Sequence, residues 1–192
     1  MKKQVRRVFM KRFAFVLMAV LATATVFAAD LVDNPSFAAW SKFKIGAELK
    51  YKQVSEVANM KTESEITYKL VELTLDKAVV EMGGASVIAG NKMELPPTRM
   101  EHLAKVENTK VDPKMADLFK ADAKTGEEQV TVPAGTFKCK VVDTKVNQQG
   151  SEVSSKVWAS DEVPGSLVKM VTIMTAPMKS ETTMELVEKK LP

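Results

Sequence analysis

The chain has 192 residues, 45% of them hydrophobic and 27% charged, the composition of a globular protein and not of a disordered or fibrous one. Its one cysteine excludes a disulfide framework and cysteine-based zinc modules, and its one histidine excludes a multi-histidine metal site within a single chain. The formal charge of +4 comes from the start of the chain, which reads as an address.

Residues 1–28 have the layout of a secretory signal peptide. Lys2, Lys3, Arg6, Arg7, Lys11 and Arg12 supply the positive region, and Phe13 to Val26 is an apolar run broken only by threonines. Val26 at −3 and Ala28 at −1 place the cut after Ala28, because a cut after Ala29 would put the bulky Phe27 at −3. The apolar run is short for a span of ~20 residues, so no integral membrane anchor is expected after cleavage. No cysteine lies near the cut to carry a lipid. The mature chain of 164 residues keeps 22 basic against 24 acidic residues, a net of −2, with Arg99 its only arginine. It has no basic excess to neutralise phosphates, so nucleic acid is not an expected partner. The expected location is the periplasm or the exterior.

Residues 29–192 are expected to form one β-rich domain with a real core. Asn34 can cap a short helix that starts at Pro35 and leads to Phe37 and Trp40. Phe43, Ile45, Ala47, Leu49 and Tyr51 then alternate with polar residues and glycine, the period-two signal of a strand with one wet face. A second strand is expected over Glu63 to Leu75, with Ile66, Tyr68 and Leu70 on one face, and Asp76-Lys77 turns the chain into Ala78 to Met82. Gly83-Gly84 predicts a bulge, and Gly90-Asn91 a turn. Met93 to Val106 is expected to be an edge strand, because Pro96-Pro97 cannot donate into a central ladder.

Asp112 and Pro113 open a second predicted helix, with Met115, Leu118 and Phe119 on one face, Asp122 next along that stripe and Gly126 beyond the end. Glu107 to Val111 is the expected flexible stretch. Strands follow over Glu127 to Val132, Thr136 to Val146 and Val153 to Ala159, separated by turns at Pro133-Ala134-Gly135 and Gln148 to Ser151. After a turn at Asp161 to Gly165, Leu167 to Met174 and Lys179 to Lys189 form the last pair. The fold class is mainly β: a curved antiparallel sheet, half-barrel or open barrel, with one or two short helices.

Two passages carry a resemblance. Glu127 to Lys140 reads EEQVTVPAGTFKCK, and Lys156 to Lys169 reads KVWASDEVPGSLVK. This strand, AGTF turn, strand and VPG-S-LVK pattern is similar to exported bacterial proteins of the DUF3108-like group, whose function is unknown. It also resembles the wider LolA-like lipoprotein-carrier architecture. The resemblance implies a strongly curved sheet wrapped around helices and enclosing an apolar cavity. The 28 residues are roughly a sixth of the mature chain, and they are mostly turn and core residues.

Val168, Met170, Met174 and Met184, with Phe137 and Val141, are the candidate lining of such a cavity, since methionine adapts to a loosely specified apolar ligand and equally fills core gaps. Met100 and His102 would share a strand face and, with Met93, could offer soft donors to Cu(I), but donors so scattered make a weak site and no metal is expected. Cys139 alternates with lysines and reads as a small buried hydrophobe. Glu127-Glu128 would point to opposite faces of a strand, and Asp161-Glu162 lies in a turn. There is no phosphate-binding glycine loop, nucleophile elbow or calcium-loop spacing. The expectation is a non-enzymatic exported protein without a cofactor, which binds a lipid-like apolar or amphipathic molecule. The alternative is an envelope structural or interaction module with a filled core and a protein partner.

Overall fold

The computed structural model describes residues 31–58, 60–88, 90–108, 121–148, 151–176 and 178–192. The signal-peptide reading, the predicted helix core around Met115 and most of the Glu107–Val111 stretch lie outside them.

A three-residue strand β1 (Leu31–Asp33) leads through Asn34 into α1 (Pro35–Ser41), the one helix among the described residues. Asn34 caps it as the sequence predicts: the Ser36 N–H donates to Asn34 Oδ1 at 3.0 Å, and Pro35 fills the first turn, where a missing N–H costs nothing. The same Asn34 donates through Nδ2 to the Leu103 carbonyl at 2.7 Å. A single residue therefore starts the helix and ties it to the sheet.

Nine strands form one antiparallel sheet: β2 (Glu48–Val57), β3 (Met60–Leu73), β4 (Lys77–Ile88), β5 (Asn91–Leu103), β7 (Ala121–Val132), β8 (Gly135–Gln148), β9 (Ser151–Ala159), β10 (Leu167–Met174) and β11 (Ser180–Lys190). The order is β5-β4-β3-β2-β11-β10-β9-β8-β7. Two meanders thus run outward from a central β2–β11 pair to edges at β5 and β7. The sheet is curved and not closed into a barrel. At its foot, however, the Ala134 N–H on the β7–β8 turn donates to the Leu186 carbonyl of β11 at 3.3 Å, so this half curls back on itself. The short β6 (Lys105–Glu107) pairs with β1 in a separate two-stranded sheet. Segments of three residues carry no periodicity, so this pair has no signature in the sequence.

Several expectations shift. The alternation from Phe43 to Tyr51 enters a strand only at Glu48. Gly46 has φ +95°, outside extended backbone, and Ile45 is 54% exposed. Residues 121–126 are strand where a helical stripe reaching Asp122 was expected. Their partner is the long β8 arm, from Gly126 opposite Val141 to Ala121 opposite Val146, and ladder pairing overrides a weak local helix signal. The edge position of β5 matches the proline argument, and Pro96-Pro97 fall where the β4–β5 register shifts, between Met82 and Gly84. Gly84 is required there: at φ +150° a Cβ would drive into the Glu65 carbonyl oxygen.

The core joins Trp40 on α1 to Leu49, Tyr51, Leu70, Val80 and Leu186 on the central strands. Charged residues dominate the opposite face, where pairs such as Lys50–Glu188 and Lys52–Glu63 are half-exposed and each worth about 0–1 kcal/mol.

Candidate ligand cavity

The loop between β9 and β10 decides the site. Val163 is fully buried, and the Ser160 N–H donates to the Ser166 carbonyl at 2.7 Å, which closes the loop into a compact turn. The Gly165 N–H donates to the Ala39 carbonyl at 3.2 Å, so the loop is stapled to α1. Trp40, 6% exposed, lies directly against Gly165. This contact and a φ of +71° both select glycine.

Helix, loop and sheet leave an open cavity of about 360 Å³ between them. Its walls are mostly apolar. Leu49, Tyr51 and Met184 come from the centre of the sheet, Met100 and His102 from edge strand β5, and Leu167 and Met170 from β10. Trp40, Pro164 and Gly165 form the side away from the sheet. The β10 end of the wall is fixed by Tyr51, whose hydroxyl donates to the Leu167 carbonyl at 2.8 Å. Tyr51 also packs edge-on against Tyr68, with ring centroids 5.7 Å apart, a favoured aromatic geometry. Burial, and then the neighbouring Tyr68, push the Tyr51 hydroxyl far above the usual phenol range.

Two further wall residues, Tyr68 and His102, make no side-chain hydrogen bond among the described residues. Burial raises the Tyr68 pKa and lowers that of His102. Both therefore stand neutral at neutral pH, and the cavity wall carries no formal charge.

The six residues expected to line an apolar site do not sit together. Met170 and Met184 are paired across β10–β11 and both line the cavity. Met174 shares their face four register positions further along, opposite Ser180, and does not line the cavity. Val168 is fully buried and is the extra residue of a bulge in β10. Val141 stands opposite Trp158, which stands opposite Lys169, so it belongs to the other face and is buried apart from the main core. Phe137 shares the Val141 face along β8 but joins the core at its foot, with the Lys189 ammonium 5.0 Å above its ring. Bulges in β10 and β11 bend the sheet at this level. Val168 fills the core at the β10 bulge, so parity along β10 marks the core face without telling a core position from a cavity wall.

Sequence reasoning missed Trp40, Tyr51, Tyr68 and the Pro164-Gly165 pair as cavity residues. It noted that Met100 and His102 share a face, and both reach the cavity wall. No group of three or more His, Cys, Asp or Glu residues suited to a metal occurs among the described residues. Cys139 is buried and hydrogen-bonds weakly to the Phe137 carbonyl. Burial, then Glu162 and Glu128, raise its pKa, which leaves an inert thiol. Trp158 is held outside the cavity by Glu128, whose carboxylate accepts from its Nε1 at 2.8 Å while the Lys156 ammonium sits 4.8 Å over the ring.

No family model matches the chain, so the DUF3108-like resemblance stands on the two sequence passages alone. No curated protein matches either. Among solved structures, the chain is similar to a Bacteroides fragilis protein inferred to be exported, described as having a YmcC-like fold. Identity is 12%, coverage is 77% of this chain and 97% of that one, and the TM-score is 0.46. It is also similar to a protein of Parabacteroides distasonis inferred to be a lipoprotein, at 14% identity, 77% and 96% coverage and a TM-score of 0.43.

Proposed function

We propose that this is an exported, non-catalytic binding protein for a lipid-like apolar or amphipathic molecule, seated on the core face of the curved sheet. The observation that carries the reading is the open, mostly apolar cavity of about 360 Å³. It falls in the range of ~300–1,000 Å³ usual for small-molecule sites. Here Trp40 and the 160–166 loop hold it open from one side while Tyr51 and Met184 wall it from the other. Binding would be driven by apolar area leaving water, at roughly 25 cal/mol per Å², and the unbranched Met100, Met170 and Met184 can adapt to its shape. The signal-peptide reading of residues 1–28 supports a location outside the cytoplasm.

Native mass spectrometry of the mature protein from its own envelope, with denaturing extraction of whatever co-purifies, tests the reading. The uncharged dye N-phenylnaphthylamine serves as the probe in solution. Met170→Glu is expected to abolish dye uptake. Met174→Glu, on the same face but off the cavity, is expected to keep it. A protein that purifies empty and takes up no dye overturns the reading in favour of a module that acts through protein contacts.

A further inference from the structure

Ladder register places two rows of side chains on the core face, beginning at the cavity wall. The first runs Met170, Met184, Gln53, Ser64 and Ser86 across β10, β11, β2, β3 and β4. The second lies one step further from the cavity. Thr144, Ser155, Thr172, Thr182, Ser55 and Thr62 stand opposite one another across six adjacent strands, from β8 to β3. Followed to both edges of the sheet, neither row contains a charged residue. The row between them points to the opposite face and holds Lys124, Asp143, Lys156, Glu63 and Lys92. The segregation is therefore sharp in a chain with 27% charged residues.

The polar groups on the neutral rows are organised. Ser55 pairs with Thr182 at 3.0 Å, Ser155 with Thr172 at 3.2 Å, and Ser64 donates to Ser86 at 2.9 Å. Gln53 Nε2 donates to Ser55 Oγ at 3.4 Å. A hydroxyl has one proton and two lone pairs, so paired hydroxyls still have acceptor capacity for a ligand. An anion laid over these rows would lose hydration and find no counter-charge, which is costly. A hydroxyl or amide would exchange water for Ser and Thr partners. His102 on the cavity wall is neutral by burial. Lys189, at the foot, is engaged by the Glu162 carbonyl at 3.2 Å.

We propose that the ligand is an uncharged amphiphile, with its apolar part in the cavity beside Met170 and Met184 and its hydroxyl- or amide-bearing head over the Thr172–Thr182 row. This rests on the cavity being a ligand site. Displacement of N-phenylnaphthylamine from the mature protein tests it, with a monoacylglycerol and a fatty acid of equal chain length as competitors at pH 8. The monoacylglycerol is expected to bind at least tenfold more tightly, about 1.4 kcal/mol. Gln53→Lys, which adds a cation to the neutral row, is expected to reverse the preference. Replacing both Thr172 and Thr182 by Val is expected to weaken the monoacylglycerol about tenfold and leave the dye unchanged, with circular dichroism and Ser55→Ala as checks on folding. Equal or tighter binding of the fatty acid to the wild type overturns this proposal and leaves the cavity reading intact. Failure of the dye itself to bind overturns both.

Discussion

Gly165 is where backbone, core and cavity meet, and replacing it by alanine tests that junction. At φ +71° the new side chain would carry left-handed strain, and its Cβ would lie 3.0 Å from two carbons of the Trp40 indole. The strain is worth roughly 1–2 kcal/mol. Pushing a well-packed tryptophan aside adds about 1–3 kcal/mol. Gly165→Ala is therefore expected to destabilise the protein by about 2–5 kcal/mol, a large share of a typical stability of ~5–15 kcal/mol. Gly90 provides the control, since it has φ +83° with nothing within 4 Å of its would-be Cβ. Gly90→Ala should show the strain alone. Urea unfolding of both variants, followed by far-ultraviolet circular dichroism, gives the two values, and their difference is the Trp40 contact. Dye uptake should fall in Gly165→Ala and not in Gly90→Ala. Equal losses of stability in the two variants would refute the claim that Trp40 is held against the loop.

Tyr51→Phe removes the hydroxyl that holds the Leu167 carbonyl across 116 residues of sequence while keeping the edge-on ring pair. A loss of about 1 kcal/mol is expected, and an unchanged urea midpoint would argue against that bond. His102 has its pKa lowered by burial from 6.5, so its contribution to stability is full above that value. It is lost as the pH falls below 6.5 and the unfolded chain takes up the proton first. The urea midpoint should fall between pH 7.5 and 5.5, and His102→Gln should reduce the fall. Glu128 has its pKa lowered first by the Trp158 hydrogen bond and then by Lys156. A tryptophan fluorescence change is therefore expected as the pH drops through a midpoint below 4.5, and it should be absent in Glu128→Gln.

Much of the fold was legible in the residues because its signals are local. Asn34-Pro35 states a helix start in two positions, alternation states which side of a strand meets water, and Pro96-Pro97 states an edge. The charge argument was equally local, since every basic residue in excess lies before Val26. The site was only partly legible. Met170 could be named from parity along its own strand, but alternation along β8 also brought in Val141, which the ladder places on the other face.

The sequence by itself determined the class: an antiparallel meander with one polar and one apolar side to each strand, turned by Gly, Pro and Asp. Tertiary structure alone decided that β2 pairs with β11, and that bulges at Val168 and Val187 bend the sheet beyond the one the Gly83-Gly84 pair announces. It also decided that a five-residue turn carrying Gly165 would lean on Trp40. The physical reason is range. Alternation and capping act over a few residues, whereas a cavity forms where segments more than a hundred residues apart fail to fill the space between them.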